Sequence, residues 1–169
     1  MRNSRYKPFY KQWLLDNNVD IIIDGCSTRY VPTEVLKERY KNYKTAVVRQ
    51  IKKSGKWKDC SICPNTRPHP KGLLKECTYI VCNIGYWDEN KRWRSTGIPL
   101  HRIIYVWFND VILPYNENDE LMDICHNNRQ RDDNHINNLR WDTRAHNLAE
   151  REGFINQWGP RKKANKNEF

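Results

Sequence analysis

The stretch CHNNRQRDDNHINNLRW, residues 125–141, places two short apolar anchors around a long polar segment. Its middle, Asn127 to Asn138, spans twelve residues without a glycine or a proline. A loop of that length inside a compact domain is usually functional or disordered, and its varied composition is unlike that of a low-complexity linker. An ordered loop needs internal ties, and a side-chain amide such as that of Asn138 can bond to its backbone.

Apolar residues flank this loop on both sides. Leu121, Met122 and Ile124 come before it, and Leu139 and Trp141 alternate with polar residues after it. The pattern predicts a two-stranded hairpin with a wide connection.

A short helix is predicted directly after the hairpin, over the residues RAHNLAERE. Thr143 is a good N-cap for it, and Gly153 is its predicted end. A hairpin followed by such a helix brings His126 and Asn147 toward a common edge.

Composition and charge narrow the class of protein. The chain has 169 residues, enough for one domain or for one domain with a small appendage. Its net charge of +10 and pI of about 9.4 indicate an anionic partner, for which nucleic acid is the first expectation. The start MRNSRYK has no apolar segment, and no apolar run approaches the roughly 18 residues of a membrane span. We therefore expect a soluble cytoplasmic protein whose six cysteines are reduced thiols or metal ligands.

The first 58 residues are basic, and their pattern predicts a mainly helical region. A short helix is expected after Pro8, with that proline in its first turn, and a strand over residues 19–23. A longer helix is predicted from Thr33 to Lys53, because apolar residues recur at helical spacing through it. The apolar stripe consists of Leu36, Tyr40, Tyr43, Val47 and Ile51.

Positive charge is concentrated on this predicted helix and just beyond it. Residues 37–58 contain nine Lys and Arg against one acid, Glu38. A solvated helix surface is one interpretation, but such surfaces normally mix both signs of charge. Phosphate contact is therefore predicted, by Lys37, Lys41, Lys44, Arg49, Lys52 and Lys53.

Four cysteines at 60–82 suggest a second kind of site. In the CSIC segment, Cys60 and Cys63 have the spacing that lets two thiolates reach one tetrahedral zinc ion. Cys77 and Cys82 would complete the set as a structural zinc knuckle. Cys82 has a simpler interpretation as a small apolar residue in the strand TYIVCNI.

The spacing of His126, Asn138 and Asn147, together with NLRW at 138–141, resembles the HNH endonucleases. Phage-encoded and homing nucleases with the ββα-metal fold form the most similar subgroup. The segment LHRIIYVWF, residues 100–108, is similar to one that is helical in that subgroup, although propensity alone predicts a strand.

The resemblance implies an α+β fold with an HNH nuclease domain at residues 59–159. The basic region 1–58 would grip the DNA, and residues 160–169 would form a basic, flexible tail. The likeness covers roughly residues 76–153, and residues 1–58 match no family that we can name.

The resemblance also implies metal-dependent hydrolysis of phosphodiesters in double-stranded DNA. His126 would be the general base, and Asn138 would fix the loop and the orientation of His126. Asn147 would ligate one divalent ion, most simply Mg²⁺. Arg144 and Arg151 would clamp the phosphate.

Cys125 departs from the family pattern. Homing relatives often carry an Asp directly before the catalytic His as a second metal ligand, and Cys125 stands there instead. Other phage members are similar to this chain in having Cys-His, so the identity of the first metal ligand stays open.

Two other functions remain compatible with the sequence. One is an HNH-like regulator that binds DNA without cutting it. The other is a zinc-ribbon protein that binds RNA, which leaves the spacing of His126, Asn138 and Asn147 unexplained. The target site, the number of strands cut and the oligomeric state are not encoded in any recognisable motif.

Overall fold

The computed structural model describes residues 7–64 and 79–157, with side chains up to Glu150. Within these ranges the fold is α+β, as predicted, with four α-helices and three small antiparallel sheets. A 3₁₀ turn at Ile136–Asn138 precedes the last strand. The elements are α1 Lys11–Asp16, β1 Val19–Ile23, β2 Cys26–Ser27, α2 Thr33–Arg39, β3 Ala46–Ile51, β4 Trp57–Asp59, β5 Ile62–Pro64, β6 Ile80–Trp87, β7 Trp93–Pro99, α3 Leu100–Asn109, β8 Met122–His126, β9 Leu139–Thr143 and α4 Arg144–Gln157.

The first sheet contains the strand predicted at residues 19–23. Its order is β2-β1-β3-β4, and β1 pairs along its whole length with β3. Val19, Ile21 and Ile23 alternate along β1, so they share one face, and that face is fully buried; Asp20, on the other face, is also buried. The helix expected after Pro8 is present, but it begins at Lys11, so Pro8 lies before its first turn.

The predicted helix from Thr33 to Lys53 is wrong, and with it the prediction of a mainly helical region at 1–58. The helix ends at Arg39, and residues 46–51 form β3. The segment AVVRQI also carries a strand pattern, because Val48 and Gln50 are buried while Val47 is exposed. Val47 and Ile51 happen to continue the helical spacing of the apolar residues before them. Hydrogen bonding of this segment to β1 and β4 nevertheless makes it a strand.

The second sheet, in the order β5-β6-β7, packs on α3. Residues 100–109 form a helix. The helix predicted from the resemblance is therefore confirmed, and the strand predicted from propensity is wrong. Five of its apolar side chains are buried, among them Trp107, whose indole nitrogen donates to Thr28 Oγ1 at 2.9 Å. An almost wholly apolar helix in the middle of the core accounts for its strand-like composition.

The third sheet is the predicted hairpin of β8 and β9, and α4 follows it without a break. Thr143 Oγ1 accepts a hydrogen bond from the backbone nitrogen of His146 at 3.1 Å, which confirms Thr143 as the helix cap. Gly153 does not end the helix, which continues to Gln157. Glycine costs only about 1 kcal/mol inside a helix, so its presence did not force an end there.

One core extends across the predicted domain division at residue 58. Tyr43 stacks on Phe108 at a ring separation of 5.6 Å. The Gln50 side chain accepts from the Gly85 backbone nitrogen at 2.9 Å and also donates to the Gly85 carbonyl, so it joins the first two sheets. None of the described helices combines the length and apolar character that crossing a membrane requires. The predicted tail at 160–169 lies outside the described residues.

Candidate functional site

The long loop between β8 and β9 is tied internally by Asn138, as predicted. Asn138 Nδ2 donates to the Asp133 carbonyl and to Asn128 Oδ1, each at 2.8 Å. Asn138 Oδ1 in turn accepts from the Asn128 backbone nitrogen at 3.0 Å. One amide side chain thus holds two separate points of the loop, which accounts for order in a segment this polar.

His135 anchors the same loop to the rest of the molecule. Its ring stacks on Tyr43 at 4.2 Å, and its Nε2 lies 2.8 Å from the Tyr43 carbonyl. Its Nδ1 accepts a hydrogen bond from the Asn137 backbone nitrogen. The ring proton is therefore on Nε2, which donates to the Tyr43 carbonyl. His135 therefore has a structural role that the sequence did not distinguish.

His126 lies at the end of β8 and is only 8% exposed. Its Nε2 is 2.8 Å from Asn134 Oδ1, and Asn134 Nδ2 faces the Asp132 carbonyl, which orients that amide. Because an amide oxygen can only accept, Nε2 is the nitrogen that carries the proton in the neutral ring, and Nδ1 is then the unprotonated nitrogen. Asn134 was not predicted, since nothing in the sequence separates it from the other polar residues of the loop.

Aromatic rings cover His126 on the side of α3. His101 packs against it with ring centroids 4.8 Å apart, and Tyr79 lies 6.1 Å away. Burial, followed by the nearby charges of His126 and Arg102, lowers the pKa of His101 to about 3, so this ring is neutral at physiological pH. Arg131 lies over the Tyr79 ring at 5.1 Å and brings a positive charge beside this cluster.

The opposite face of β8 carries a carboxylate that the sequence analysis missed. Side chains alternate along a strand, so Asp123 and Cys125 point away from the face of His126, toward α4. Asp123 accepts from Arg144 Nη2 at 2.9 Å and from Asn147 Nδ2 at 3.2 Å. The sequence did hold a signal for Asp123, because it lies two residues before Cys125 and so shares its face of the predicted strand. The structure therefore brings Asn147 to Asp123 on one face of β8, while His126 occupies the other.

Cys125 is a buried thiol on the face shared with Asp123. Burial is the main cause that raises the pKa of Cys125 to about 11, so the group is neutral at pH 7. A bound cation would itself lower this pKa, so the identity of the first metal ligand stays open.

One further group could offer ligands to a cation. Among the described residues, Asp142, His146 and Glu150 alone place three such atoms within 4.8 Å of one another. Arg140, however, already pairs with both acids. The hydrogen bond that His146 Nδ1 donates to Asp142 Oδ2 raises the pKa of His146, so this group is a network of ion pairs.

The structure describes three of the four cysteines of the predicted zinc knuckle. Cys60 and Cys82 are buried, while Cys63 is exposed on β5. Cys77 lies outside the described residues. The zinc site remains a prediction, and the interpretation of Cys82 as a buried residue of a strand is confirmed.

The residues predicted to contact DNA are scattered instead of following one helix. Lys37 is exposed on α2, and Lys41, Lys44 and Lys53 are exposed in loops. Arg49 pairs with Asp20 at 3.2 Å.

Of the other three residues predicted to contact DNA, two have partners within the protein. Lys52 turns inward, where its ammonium lies 3.1 Å from Gln50 Oε1. Arg144 pairs with Asp123, and the side chain of Arg151 lies outside the described part. Local sequence could not reveal these internal partners.

Comparisons with family models, with curated proteins and with solved structures found no match to this chain.

Proposed function

We propose that this protein is a metal-dependent DNA endonuclease of the HNH type. The observation that carries the proposal is the setting of His126, held by Asn134 at the mouth of a loop that Asn138 ties together. A histidine with one nitrogen fixed by an acceptor and the other unprotonated is arranged as a general base. The sequence resemblance assigns the same role to this residue.

In the proposed reaction, His126 Nδ1 takes a proton from the water that attacks the phosphodiester. Asn134 keeps the proton of the neutral ring on Nε2 and accepts from it as the ring becomes charged. His101 packs against the ring and remains neutral, so it does not add a competing charge.

The donor atoms on the other face of β8 suit a hard divalent ion. Asp123 offers a carboxylate, and Asn147, whose Nδ2 donates to Asp123 in this structure, would turn its amide oxygen toward an ion bound there; Mg²⁺ prefers oxygen ligands. Because His126 and Asp123 lie on opposite faces of β8, the proposal requires the phosphate to lie at the end of this strand, where Mg²⁺ would stabilise the negative charge that develops on it and on the leaving oxygen. Arg144, which pairs with Asp123 at 2.9 Å, lies beside this group, and the resemblance assigns it a contact with the phosphate.

The surface charge supports DNA as the substrate. The net charge of +10 favours a polyanion, and exposed lysines on α2 and in the loops offer phosphate contacts. The same resemblance supports a phage protein acting in the cytoplasm of its host.

Plasmid nicking is the direct test. Supercoiled DNA should be nicked or linearised with Mg²⁺ and left intact with EDTA. His126→Ala should lower the cleavage rate by about 10²–10⁴-fold, because a general base contributes that much, while DNA affinity changes little. His146→Ala is the matched control, since it removes an exposed histidine of α4 and should leave cleavage unchanged.

Two results would contradict the proposal. Full cleavage by His126→Ala would exclude its role as the base. Tight DNA binding without cleavage by the wild-type chain, with any divalent ion, would instead favour the non-cutting regulator.

A further inference from the structure

Arg131 is a cation beside the candidate site, in the loop between β8 and β9. Its guanidinium carbon lies over the Tyr79 ring, 5.1 Å from the ring centroid. Among the described residues, no carboxylate forms an ion pair with Arg131. Arg140 and Arg144 differ from it, because both are paired with acids. A positive charge therefore stands beside the candidate site without an acid to balance it.

An aromatic ring holds an arginine differently from a carboxylate. The negative face of the ring attracts the guanidinium but takes up none of the N–H donors in its plane. A carboxylate would accept hydrogen bonds from those donors and cancel the charge. Tyr79 thus holds Arg131 in place while the charge and the planar fork of donors stay available, and that fork matches a phosphate group.

The loop fixes the backbone from which the Arg131 side chain extends. The Asp133 backbone nitrogen donates to the Gln130 carbonyl at 3.2 Å, which closes a turn with Arg131 at its second position. The Asp133 carbonyl accepts from Asn138 Nδ2 at 2.8 Å, so the amide that ties the loop also holds this turn. The next residue along the chain is Asn134, which contacts the candidate base. The segment that orients the base therefore also sets the starting point of the Arg131 side chain.

Tyr79 connects this arginine to the rings around His126. It directly precedes β6, and its ring centroid lies 4.9 Å from that of His101 on α3 and 6.1 Å from that of His126. The Tyr79 and His126 rings are inclined by only 25° to each other. Because Tyr79 is 36% exposed, this group of rings reaches the surface where Arg131 lies. The guanidinium thus stands one ring away from the imidazole of His126.

We propose that Arg131 binds the DNA phosphate next to the one that is cleaved, and that Tyr79 positions the guanidinium for this contact. The inference rests on the proposed nuclease function, because His126 defines where the cleaved phosphate lies. A DNA strand carries one phosphate per nucleotide, so a strand with one phosphate at His126 presents the next phosphate a short distance away. Arg131, one ring farther out, is placed to receive it.

A contact of this kind makes a distinct kinetic prediction. A neighbouring phosphate keeps its charge throughout the reaction, so Arg131 binds it equally in the ground state and in the transition state. Loss of the contact therefore raises the concentration needed for cleavage and leaves the maximal rate unchanged. His126, which takes a proton only during the reaction, should show the opposite pattern. Because the contact is to the backbone, it carries no sequence information.

The test is single-turnover nicking of supercoiled plasmid with Mg²⁺, measured against the concentration of the full-length protein. Arg131→Ala should raise the concentration that gives half the maximal rate by about tenfold, the size of one charge-assisted hydrogen bond. Arg131→Lys should recover only part of this loss, because an ammonium keeps the charge but lacks the planar fork. Arg39→Ala is the matched control and should stay near the wild type, since it also removes an arginine that lies over a tyrosine ring, but on α2.

The role of Tyr79 is tested through its coupling to Arg131. Tyr79→Phe keeps the ring face and should behave like the wild type, whereas Tyr79→Leu should weaken binding without lowering the maximal rate. The double variant Tyr79→Leu with Arg131→Ala should be no weaker than Arg131→Ala alone, because Tyr79 acts through Arg131. Circular dichroism confirms that each variant is folded before its cleavage is measured.

The outcomes separate this inference from the nuclease function itself. If the wild type cleaves while Arg131→Ala and Arg39→Ala behave alike, the phosphate contact is wrong and the nuclease function stands. A lower maximal rate in Arg131→Ala, at an unchanged half-saturating concentration, would overturn the assignment to the neighbouring phosphate. Additive losses in the double variant would overturn the positioning role of Tyr79. Absence of cleavage by the wild type would contradict the nuclease function and this inference together.

Discussion

Asn134 orients the imidazole of His126 through a contact of 2.8 Å. It is only 9% exposed, and its other amide atom faces the Asp132 carbonyl, so its own direction is set by the loop. In the proposed reaction, Asn134 would act through His126 as a positioning residue.

Replacing Asn134 should therefore affect turnover more than DNA binding. We expect Asn134→Ala to lower the cleavage rate by roughly 10- to 100-fold with little change in affinity, because the ring loses its fixed direction. Asn134→Asp should recover part of that rate and move the acidic limb of the pH–rate profile to higher pH, since a carboxylate stabilises the charged imidazolium. The measurements are single-turnover rates across pH and binding by fluorescence anisotropy. Equal loss in both variants, with an unshifted profile, would mean that Asn134 only stabilises the loop.

The metal ligands on the Asp123 face of β8 can be tested by substitution. Cys125→Ala should retain most Mg²⁺-dependent cleavage, because a soft sulfur ligand is a poor partner for a hard cation. Asn147→Ala should lose it. Cys125→Asp should lower the Mg²⁺ concentration needed, since it adds an oxygen ligand beside Asp123.

Cleavage rate against Mg²⁺ concentration, for the wild type and these three variants, checks the assignment. Equal inactivity of Cys125→Ala and Asn147→Ala, together with a preference of the wild type for a softer ion, would make Cys125 the ligand instead.

At the scale of elements, part of the positive charge of residues 37–58 lies on the hairpin of β3 and β4. β3 and β4 are joined by a turn in which Lys53 and Lys56 are exposed, and Gly55 adopts φ +77° there. Trp57 follows with 42% exposure. Lysines on such a projecting turn reach phosphates without reading bases.

Reversing the charge of this turn should weaken DNA binding. The double substitution Lys53→Glu and Lys56→Glu should reduce affinity and lower the slope of log Kd against log salt by about two, because each lysine neutralises about one phosphate. Lys91→Glu with Arg92→Glu is a matched control on the exposed turn between β6 and β7. The same loss in both pairs would indicate that only net charge matters, and an unchanged slope in the first pair would exclude the hairpin from the interface.

At the scale of the molecule, the N-terminal region is part of the core on which the candidate site rests. Tyr43 packs between Phe108 and His135, and its hydroxyl accepts from the Ile136 backbone nitrogen at 3.3 Å. Gln50 satisfies both polar groups of Gly85. Losing these partners would expose apolar surface and leave buried polar groups unpaired.

A fragment that starts at residue 59 should therefore not fold as an independent nuclease domain. We expect it to lack a cooperative thermal transition by circular dichroism and to have poorly dispersed amide NMR signals, whereas the full chain shows both features. A sharp transition in the fragment, with retained cleavage, would show that the nuclease core stands alone.

The sequence by itself determined the features that depend on neighbours along the chain. Period-two alternation and a cap residue were enough for β8, β9 and the start of α4, and the spacing around Asn138 was enough for the tied loop. Such patterns reflect backbone geometry within a few residues, which any fold must respect.

The tertiary structure decided what depends on residues far apart in sequence. It turned residues 46–51 into a strand, because pairing with β1 outweighed a helical spacing. It directed Lys52 inward to Asn83, set Asp123 beside Asn147, and placed His101 against His126. The loop contains several asparagines, and only tertiary packing determines that Asn134 is the one that faces the His126 ring. These contacts form because the core must bury its apolar surface and satisfy each buried polar group at once, a condition that no local pattern encodes.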